Sequence, residues 1–195
     1  MIDRVNGWTL YGANARVDGP RTVHVSDAGL FHHASNGLDK RNRRSNSQGN
    51  YRSRGAIPDA MVIRRDLVDH GIAHRTGLGH VLHLFLCETR SAEGYCHPMV
   101  ASEHDKRGWG AQGRRVALSP RFDVERSRLN PVGRVIARTL QRHGAYLGDN
   151  AEDASALKAE QSSRERNPWA GLAIGRDVLR GMTWDDFVVL PEGWQ

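Results

Sequence analysis

Cysteine is scarce in this sequence, because its 195 residues contain only Cys87 and Cys96. Two thiols cannot form the disulfide framework that stabilises many small secreted domains, so the cysteine content leaves the cellular compartment open. The eight residues between them would let a hairpin bring the two thiols together. The favoured interpretation is two free thiols, with Cys87 buried as a small apolar side chain.

Long apolar stretches are also missing. No part of the chain approaches the roughly 20 apolar residues that a membrane-spanning helix needs, so we expect no membrane span. The first residues, MIDRVNGWTLYG, lack the basic segment followed by an apolar core that marks a secretory signal. We therefore expect a protein that stays in the cytoplasm or leaves it by another route, such as release of an assembled particle by lysis.

Catalytic signatures are a third absence. The sequence has no GxSxG motif, and GLGH at residues 77–80 lacks the lysine and the spacing of a P-loop. Glycoside hydrolysis needs two facing carboxylates, and the sequence does not show that any two converge. The candidates are Asp123, Asp149, Asp153, Asp185 and Asp186. We therefore predict no catalytic residue and no cofactor, and lean away from an enzyme.

A metal centre is the alternative that the histidines and cysteines raise. Cys96 and His97 are adjacent, and His104 and Cys87 would complete a nominal set of four ligands. Zinc sites prefer short paired spacings such as CxxC or HxxxH, and this set matches no such template. The sequence therefore predicts no metal site.

Positive charge is present in excess: the chain has 28 Lys and Arg residues and 22 Asp and Glu residues, which gives a net charge of +6. A basic surface favours polyanionic partners. No recognition motif accompanies the charge, so we do not expect a nucleic-acid partner.

Six of the cations lie in residues 39–54, DKRNRRSNSQGNYRSR, which contain one acid and many Asn, Ser and Gly residues. This composition predicts an exposed basic arm, either solvated or ordered against a neighbouring subunit. A phosphate- or polyanion-binding strap is the alternative, and one aromatic ring gives single-stranded nucleic acid little support. The candidate partner-contact residues are Lys40, Arg41, Arg43, Arg44, Tyr51, Arg52 and Arg54.

Glycine is abundant: 21 of the 195 residues are glycine, which is more than the usual share of about 7%. This excess favours a turn-rich β protein. GWTLYGANARV and RTVHVSDAGLF read as two strands, the second half-buried, joined by a turn at residues 18–20. GHVLHLFLC reads as a strand covered on both faces, on which His80 and His83 point to opposite sides. GRRVALSP, AYLGDN and the tail WDDFVVLPEGW are further strand candidates.

One helix is clearly predicted near residues 131–143. Asn130 is a natural N-cap, Pro131 a natural first residue, and Gly144 is placed for a C-terminal cap. An apolar stripe follows, formed by Val132, Val135, Ile136, Thr139 and Leu140. A row of arginines on another face, Arg134, Arg138 and Arg142, reads as solvated. Residues 151–167 read as a polar loop, and Asn167-Pro168 repeats the cap-plus-proline signal.

Five segments follow one another along the chain: GHVLHLFL, GYCHP, GWGAQGRRVALSPRFDVE, PVGRVIARTLQRHGAYLGDN and LRGMTWDDFVVL. In this order they resemble a group of largely uncharacterised actinobacterial surface or secreted β-rich proteins, with relatives among actinobacteriophage minor tail proteins. The likeness covers about residues 8–190. The matching positions are His80, Pro98, Gly113, Arg115, Leu118, Asp123, Tyr146, Asp149 and Asn150.

Two positions depart from the group's pattern. His32 stands where the group has a carboxylate, and the basic arm around Arg52 replaces a Trp-Thr-Ser-Ala-Asp loop. Acid chemistry based on those carboxylates is therefore not expected here. The resemblance implies structural roles instead for His80, Pro98, Asp123, Tyr146 and Asp149. It implies that His80 is a buried, hydrogen-bonded strand residue and that residues 96–98 form the turn leaving that strand.

Together these observations predict a mainly β (α+β) fold: an antiparallel, jelly-roll-like sandwich with one packed helix. Residues 1–195 form one domain. We expect a non-enzymatic structural or adhesion subunit of an actinobacteriophage virion, assembled in the host cytoplasm and associated with the tail. Its partners would be other virion subunits or copies of itself, and it would also bind host cell-envelope glycan. The alternative is a secreted or cell-surface polysaccharide-active enzyme or carbohydrate-binding module of an actinobacterium.

Overall fold

The computed structural model describes residues 2–3, 5–32, 58–99, 101–151, 153–161 and 167–193. Within these ranges the chain is mainly β, with ten strands and two α-helices. This confirms the expected α+β class with sheet as its main component. The predicted basic arm at residues 39–54, with all seven of its candidate contact residues, lies outside the described ranges.

The N-terminal residues form two small sheets. β1 (Ile2–Asp3), β2 (Trp8–Ala13) and β5 (Asp27–His32) form an antiparallel sheet in the order β1-β2-β5. Between β2 and β5, the strands β3 (Arg16–Val17) and β4 (Val23–His24) pair as an antiparallel hairpin.

The turn of this hairpin is where the sequence predicts it. The Asp18 amide donates to the Thr22 carbonyl over 2.8 Å, and Gly19 has a φ of 76°, which glycine adopts without strain. The burial differs from the prediction: Val23 is 47% exposed, so β4 is a solvated ribbon rather than a half-buried strand.

The main sheet has five strands in the order β10-β7-β8-β6-β9. In chain order they are β6 (Leu82–Leu86), β7 (Arg115–Leu118), β8 (Ala145–Asn150), β9 (Ala156–Leu157) and β10 (Phe187–Val189). Each strand candidate predicted in this part of the chain is present.

The pairing in the main sheet differs in one place from the antiparallel arrangement that we predicted. β10 with β7, β7 with β8, and β6 with β9 are antiparallel, but β6 runs parallel to β8. The reason is visible in β6, where four of five residues are buried. A strand covered on both faces is typical of parallel pairing, whereas exposed antiparallel strands alternate apolar and polar residues.

The predicted helix is α2 (Pro131–Arg142), and its capping follows the sequence signals. The Asn130 side chain accepts a hydrogen bond from the Gly133 amide over 2.8 Å, and Gly144 has a φ of 66°. The apolar stripe is entirely buried, with Val135 and Ile136 fully removed from solvent. The helix therefore covers one face of the main sheet and forms most of the core with it.

From its sequence, the segment AIPDAMVIRRDLVDHG at residues 56–71 suggests a strand end followed by a short helical turn. The structure forms there a second helix, α1 (Arg65–His74). Glycine disfavours helix interiors, and Gly71 lies within this helix. The structure explains the glycine: a Cβ at Gly71 would lie 2.7 Å from a Val135 methyl group of α2. Gly71 therefore lets the two helices approach closely.

The arginine row on α2 is only partly solvated, contrary to the prediction. Arg138 forms an ion pair with Glu125 and is largely buried, whereas Arg142 is exposed. The segment between β7 and α2 folds back over this face. The carbonyls of Ser119 and Phe122 each accept a hydrogen bond from the Gln141 side chain there.

The predicted polar loop at residues 151–167 contains a strand. β9 pairs with β6, and Ala159, two residues after the end of β9, forms a parallel bridge with Ile63. Residues 152 and 162–166 lie outside the described ranges. At Asn167 the side chain accepts from the Trp169 amide over 2.9 Å, and the chain continues through turns at residues 168–171 and 176–181.

Membrane insertion by a helix has no candidate among the described residues. Crossing a bilayer takes about 20 residues of predominantly apolar helix. Neither α1 nor α2 combines that length with that apolarity.

Candidate functional site

A long loop between β6 and β7, residues 87–114, lines a cavity together with β7, β8 and the C-terminal segment. Asn150, at the end of β8, holds this loop in place. Its Oδ1 accepts from the Thr89 amide over 2.5 Å, and its amide group donates to the Glu103 carboxylate. The Glu103 amide in turn donates to the Gln112 side chain, which is fully buried. This network fixes the loop on the sheet before any ligand binds.

The cavity next to this loop has a volume of about 700 Å³, and we call it the polar cleft. It lies between the loop, the start of β7, strand β8 and the C-terminal segment after β10. Its polar and aromatic lining residues are Glu93, Tyr95, Cys96, His97, Arg114, Arg115, Tyr146 and Glu192. A large concave site in which several polar groups converge is the usual form of a ligand-binding site.

Arg115 and Tyr146 form the floor of the cleft and are neighbours in register on β7 and β8. The Arg115 guanidinium donates to the His143 carbonyl over 2.8 Å and lies 5.4 Å from the centre of the Tyr146 ring. Since the His143 carbonyl is at the negative end of α2, this contact also suits the helix dipole. Arg115 therefore fixes the tyrosine ring through a cation–π contact.

Two carboxylates lie at the rim of the polar cleft. Glu93 is 3.5 Å from an Arg114 nitrogen, and this ion pair is partly exposed. Glu192 accepts from the His97 amide over 3.4 Å and is exposed. The carboxylates come from different segments of the chain, the loop and the C-terminal segment, and both line one cavity with charged and hydrogen-bonding groups.

The Cys96 thiol lines the cleft, and its surroundings disfavour the thiolate form. Its own amide donates to the Gln112 carbonyl over 2.9 Å. Burial raises the pKa of the Cys96 thiol and Glu192 raises it further, Arg114 opposes this rise, and Glu93 adds the smallest increase. A raised pKa disfavours the thiolate, which is the form that nucleophilic attack requires.

The other cysteine contradicts the sequence-based interpretation. Cys87 is exposed, because it follows directly after the last residue of β6, where the chain leaves the core. Cys96 is partly buried, and both thiols are free.

His80 does not have the place that the resemblance implies. It precedes β6 rather than lying in it, is partly buried, and its Nδ1 is 2.8 Å from the Val81 carbonyl. The buried strand histidine is His83, which is 2% exposed. Neither ring nitrogen of His83 has a hydrogen-bond partner among the described residues.

The remaining predicted structural residues are separate from one another. Tyr146 lines the cleft, and Pro98 is buried in the turn of residues 96–99 that borders it. Asp123 accepts from the Glu125 and Arg126 amides over 3.1 Å each, which stabilises the turn after β7. Asp149 lies on β8, where its carboxylate accepts from the following amide.

The carboxylates that the sequence singled out do not enter the polar cleft. The carboxylates at the cleft, Glu93 and Glu192, were not among the carboxylate candidates from the sequence. Arg114, which pairs with Glu93, was not among the candidate site residues either. Within the described part of the chain, no three His, Cys, Asp or Glu side chains group as a metal ion would require. The signals that pointed to this place were GYCHP, whose tyrosine and histidine line the cleft, and the matching positions Gly113, Arg115 and Tyr146, which line it too.

Comparison of the chain with protein-family models, with curated proteins and with solved structures finds no match in any of the three. The functional inference therefore starts from the cleft and its chemistry.

Proposed function

We propose that this protein is a non-enzymatic adhesion subunit that binds a glycan of the host cell envelope through the polar cleft. The observation that carries the proposal is the convergence of tyrosine rings, an ion pair and an exposed carboxylate on one cavity of about 700 Å³. Sugar rings present apolar C–H faces together with many hydroxyl groups. Aromatic rings suit the faces, and charged planar groups suit the hydroxyls.

Binding is favoured over catalysis by the state of the groups in the cleft. Glu93 is paired with Arg114, and Glu192 is exposed to water, so neither lies in the apolar pocket that converts a carboxyl group into a general acid. Burial and the nearby carboxylates raise the pKa of the Cys96 thiol, which disfavours its nucleophilic thiolate form. These groups can accept and donate hydrogen bonds without taking part in a reaction.

The setting we propose is the virion of an actinobacteriophage, at its tail, with assembly in the host cytoplasm. The resemblance to minor tail proteins supports this setting, and contacts with other virion subunits or with copies of itself would follow from it. Antibody labelling of purified phage particles tests it. Labelling along the tail supports the proposal, and absence of the protein from particles contradicts it.

We also propose that the fold is the jelly-roll-like sandwich predicted from the sequence. The layer opposite the main sheet would be the N-terminal sheet of β1, β2 and β5. Cross-linking followed by mass spectrometry tests this arrangement, since it predicts links between the two sheets within one chain.

Glycan binding is tested with purified actinobacterial cell-wall polysaccharide in a titration calorimeter. Tyr95→Ala and Glu192→Ala change side chains at the rim of the cleft and should each weaken binding about tenfold, or about 1.4 kcal/mol. Val17→Ala, on the exposed β3–β4 hairpin, is the control and should bind like the wild type. Equal affinity of all four proteins would contradict the proposal.

A polysaccharide-active enzyme is the second candidate, because Glu93 and Glu192 line one cleft and glycosidases use two carboxyl groups. The test is the release of reducing ends from the same polysaccharide. Release that Glu93→Gln and Glu192→Gln both abolish would establish the enzyme, and binding without release supports the adhesion subunit.

A further inference from the structure

A second cleft lies on the other side of β10, with a volume of about 500 Å³, and we call it the tryptophan cleft. Trp109 and Trp184 line it and are 50% and 55% exposed. Val188 and Val189 of β10 are exposed as well and line the same cleft, so the rings belong to an exposed apolar patch, and such patches mark binding surfaces.

Both tryptophans are carried by backbone that is held in place. The Trp109 amide donates to the Glu88 carbonyl over 3.1 Å, and the neighbouring Gly108 approaches that carbonyl so closely that a Cβ would be 2.0 Å from it. Trp184 begins a short 3-10 turn closed by reciprocal hydrogen bonds between Thr183 and Asp186. Since neither backbone segment has to be ordered on binding, both rings are available to a ligand without that entropic loss.

The two clefts are adjacent. Val189 of β10 lines both of them, so this residue forms the ridge between the polar cleft and the tryptophan cleft. At the margin of the tryptophan cleft, Glu88 and Ser155 supply a carboxylate and a hydroxyl beside the apolar floor. The second cleft therefore repeats, in a more apolar form, the combination of aromatic rings and polar groups seen in the first.

We propose that the ligand is an extended, linear glycan that occupies the polar cleft, crosses the ridge at Val189 and stacks its next sugar rings on Trp109 and Trp184. This inference rests on the proposed glycan-binding function and adds the class of ligand: a polysaccharide chain rather than a terminal sugar. Recognition of a chain over two clefts gives more affinity for long than for short fragments, since only a long fragment reaches both.

The experiment uses the full chain and size-fractionated fragments from partial acid hydrolysis of actinobacterial cell-wall polysaccharide. Wild-type protein should bind long fragments more tightly than disaccharides. Trp109→Ala and Trp184→Ala should each weaken binding of long fragments about tenfold and leave disaccharide binding unchanged. Tyr95→Ala should weaken binding of both sizes, and Val17→Ala of neither.

Tryptophan fluorescence is a second readout. Long fragments should change the emission of the wild-type protein, and the double variant Trp109→Ala/Trp184→Ala should lose that change. The extended-glycan proposal is overturned if the tryptophan variants bind long fragments as the wild type does, or if they abolish self-association instead, which would assign the cleft to a second copy. If wild-type protein binds no fragment of either size, the glycan-binding function itself has failed.

Discussion

Acid should destabilise this protein through one buried side chain, His83. Its ring lies against Gly148 of β8, where a Cβ would be 1.6 Å from Nε2, and packs edge-on against Phe85 with centroids 4.7 Å apart. Burial lowers the pKa of His83 from 6.5 to about 4, with a smaller contribution from the positive charge of Lys158. The imidazole is therefore neutral in the folded protein at physiological pH.

The sign of the effect follows from the two pKa values. In the unfolded chain the imidazole takes up a proton near pH 6.5, whereas in the folded protein it does so only near pH 4. Between these values the unfolded state binds more protons, so the free energy of unfolding falls as the pH is lowered. A pKa shift of this size lowers the free energy of unfolding by about 3 kcal/mol between neutral pH and pH 4, which is a large part of a typical domain's stability.

Urea unfolding of the wild type and of His83→Leu, followed from neutral pH to about 4, measures this effect. Other groups titrate in both proteins, so the informative quantity is the difference between their unfolding free energies at each pH. We expect that difference to shift by about 3 kcal/mol in favour of His83→Leu as the pH falls. His104→Leu, at an exposed histidine, controls for the loss of an imidazole. A difference that stays constant with pH would refute the reasoning.

Two further substitutions test the backbone and the network that shape the polar cleft. Gly113→Ala places a methyl group 1.8 Å from the Cys96 carbonyl at a φ of 91° and should lower the free energy of unfolding by about 3 kcal/mol. Gly94→Ala is the control: its φ is also positive but the space around it is open, so it should lower the free energy of unfolding by only about 1 kcal/mol. Equal urea midpoints for the two variants would contradict the clash. Asn150→Asp replaces the amide that donates to Glu103 by a second carboxylate and should lower the free energy of unfolding by about 2 kcal/mol. Asn167→Asp, at an exposed turn, is the control and should change the free energy of unfolding little. A wild-type urea midpoint for Asn150→Asp would show that the loop is held by other contacts.

Features that depend on neighbouring residues could be predicted from the sequence. Asn130, Pro131 and Gly144 locate the ends of α2 because capping is local chemistry, and the apolar runs locate β6 and β8. Gly71 made α1 difficult to predict, because the reason for a glycine there is its close contact with Val135, which is 64 positions away in the chain. A propensity scale counts the intrinsic penalty of such a glycine and not the packing that offsets it.

The polar cleft could not be predicted, because it is made by residues that are distant in the chain. Glu93, Arg114 and Glu192 meet only once β7 and β10 are paired and the loop is fixed on the sheet. The same holds for the neighbouring tryptophan cleft, where Trp109 and Trp184 come from separate segments. A single sequence shows that these side chains exist and gives no distance between them.

The parallel pairing of β6 with β8 has a consequence for biosynthesis. Leu82 and Ala145 are partners in the sheet although they are 63 positions apart in the chain, and both β7 and α2 lie between them. During translation β6 leaves the ribosome long before its central partner does, and its row of leucines has nothing to pair with until residue 150 has been made. Pairings this remote slow folding and prolong the exposure of apolar strands. Nascent chains that stall before β8 is complete would therefore be the species that most needs a chaperone.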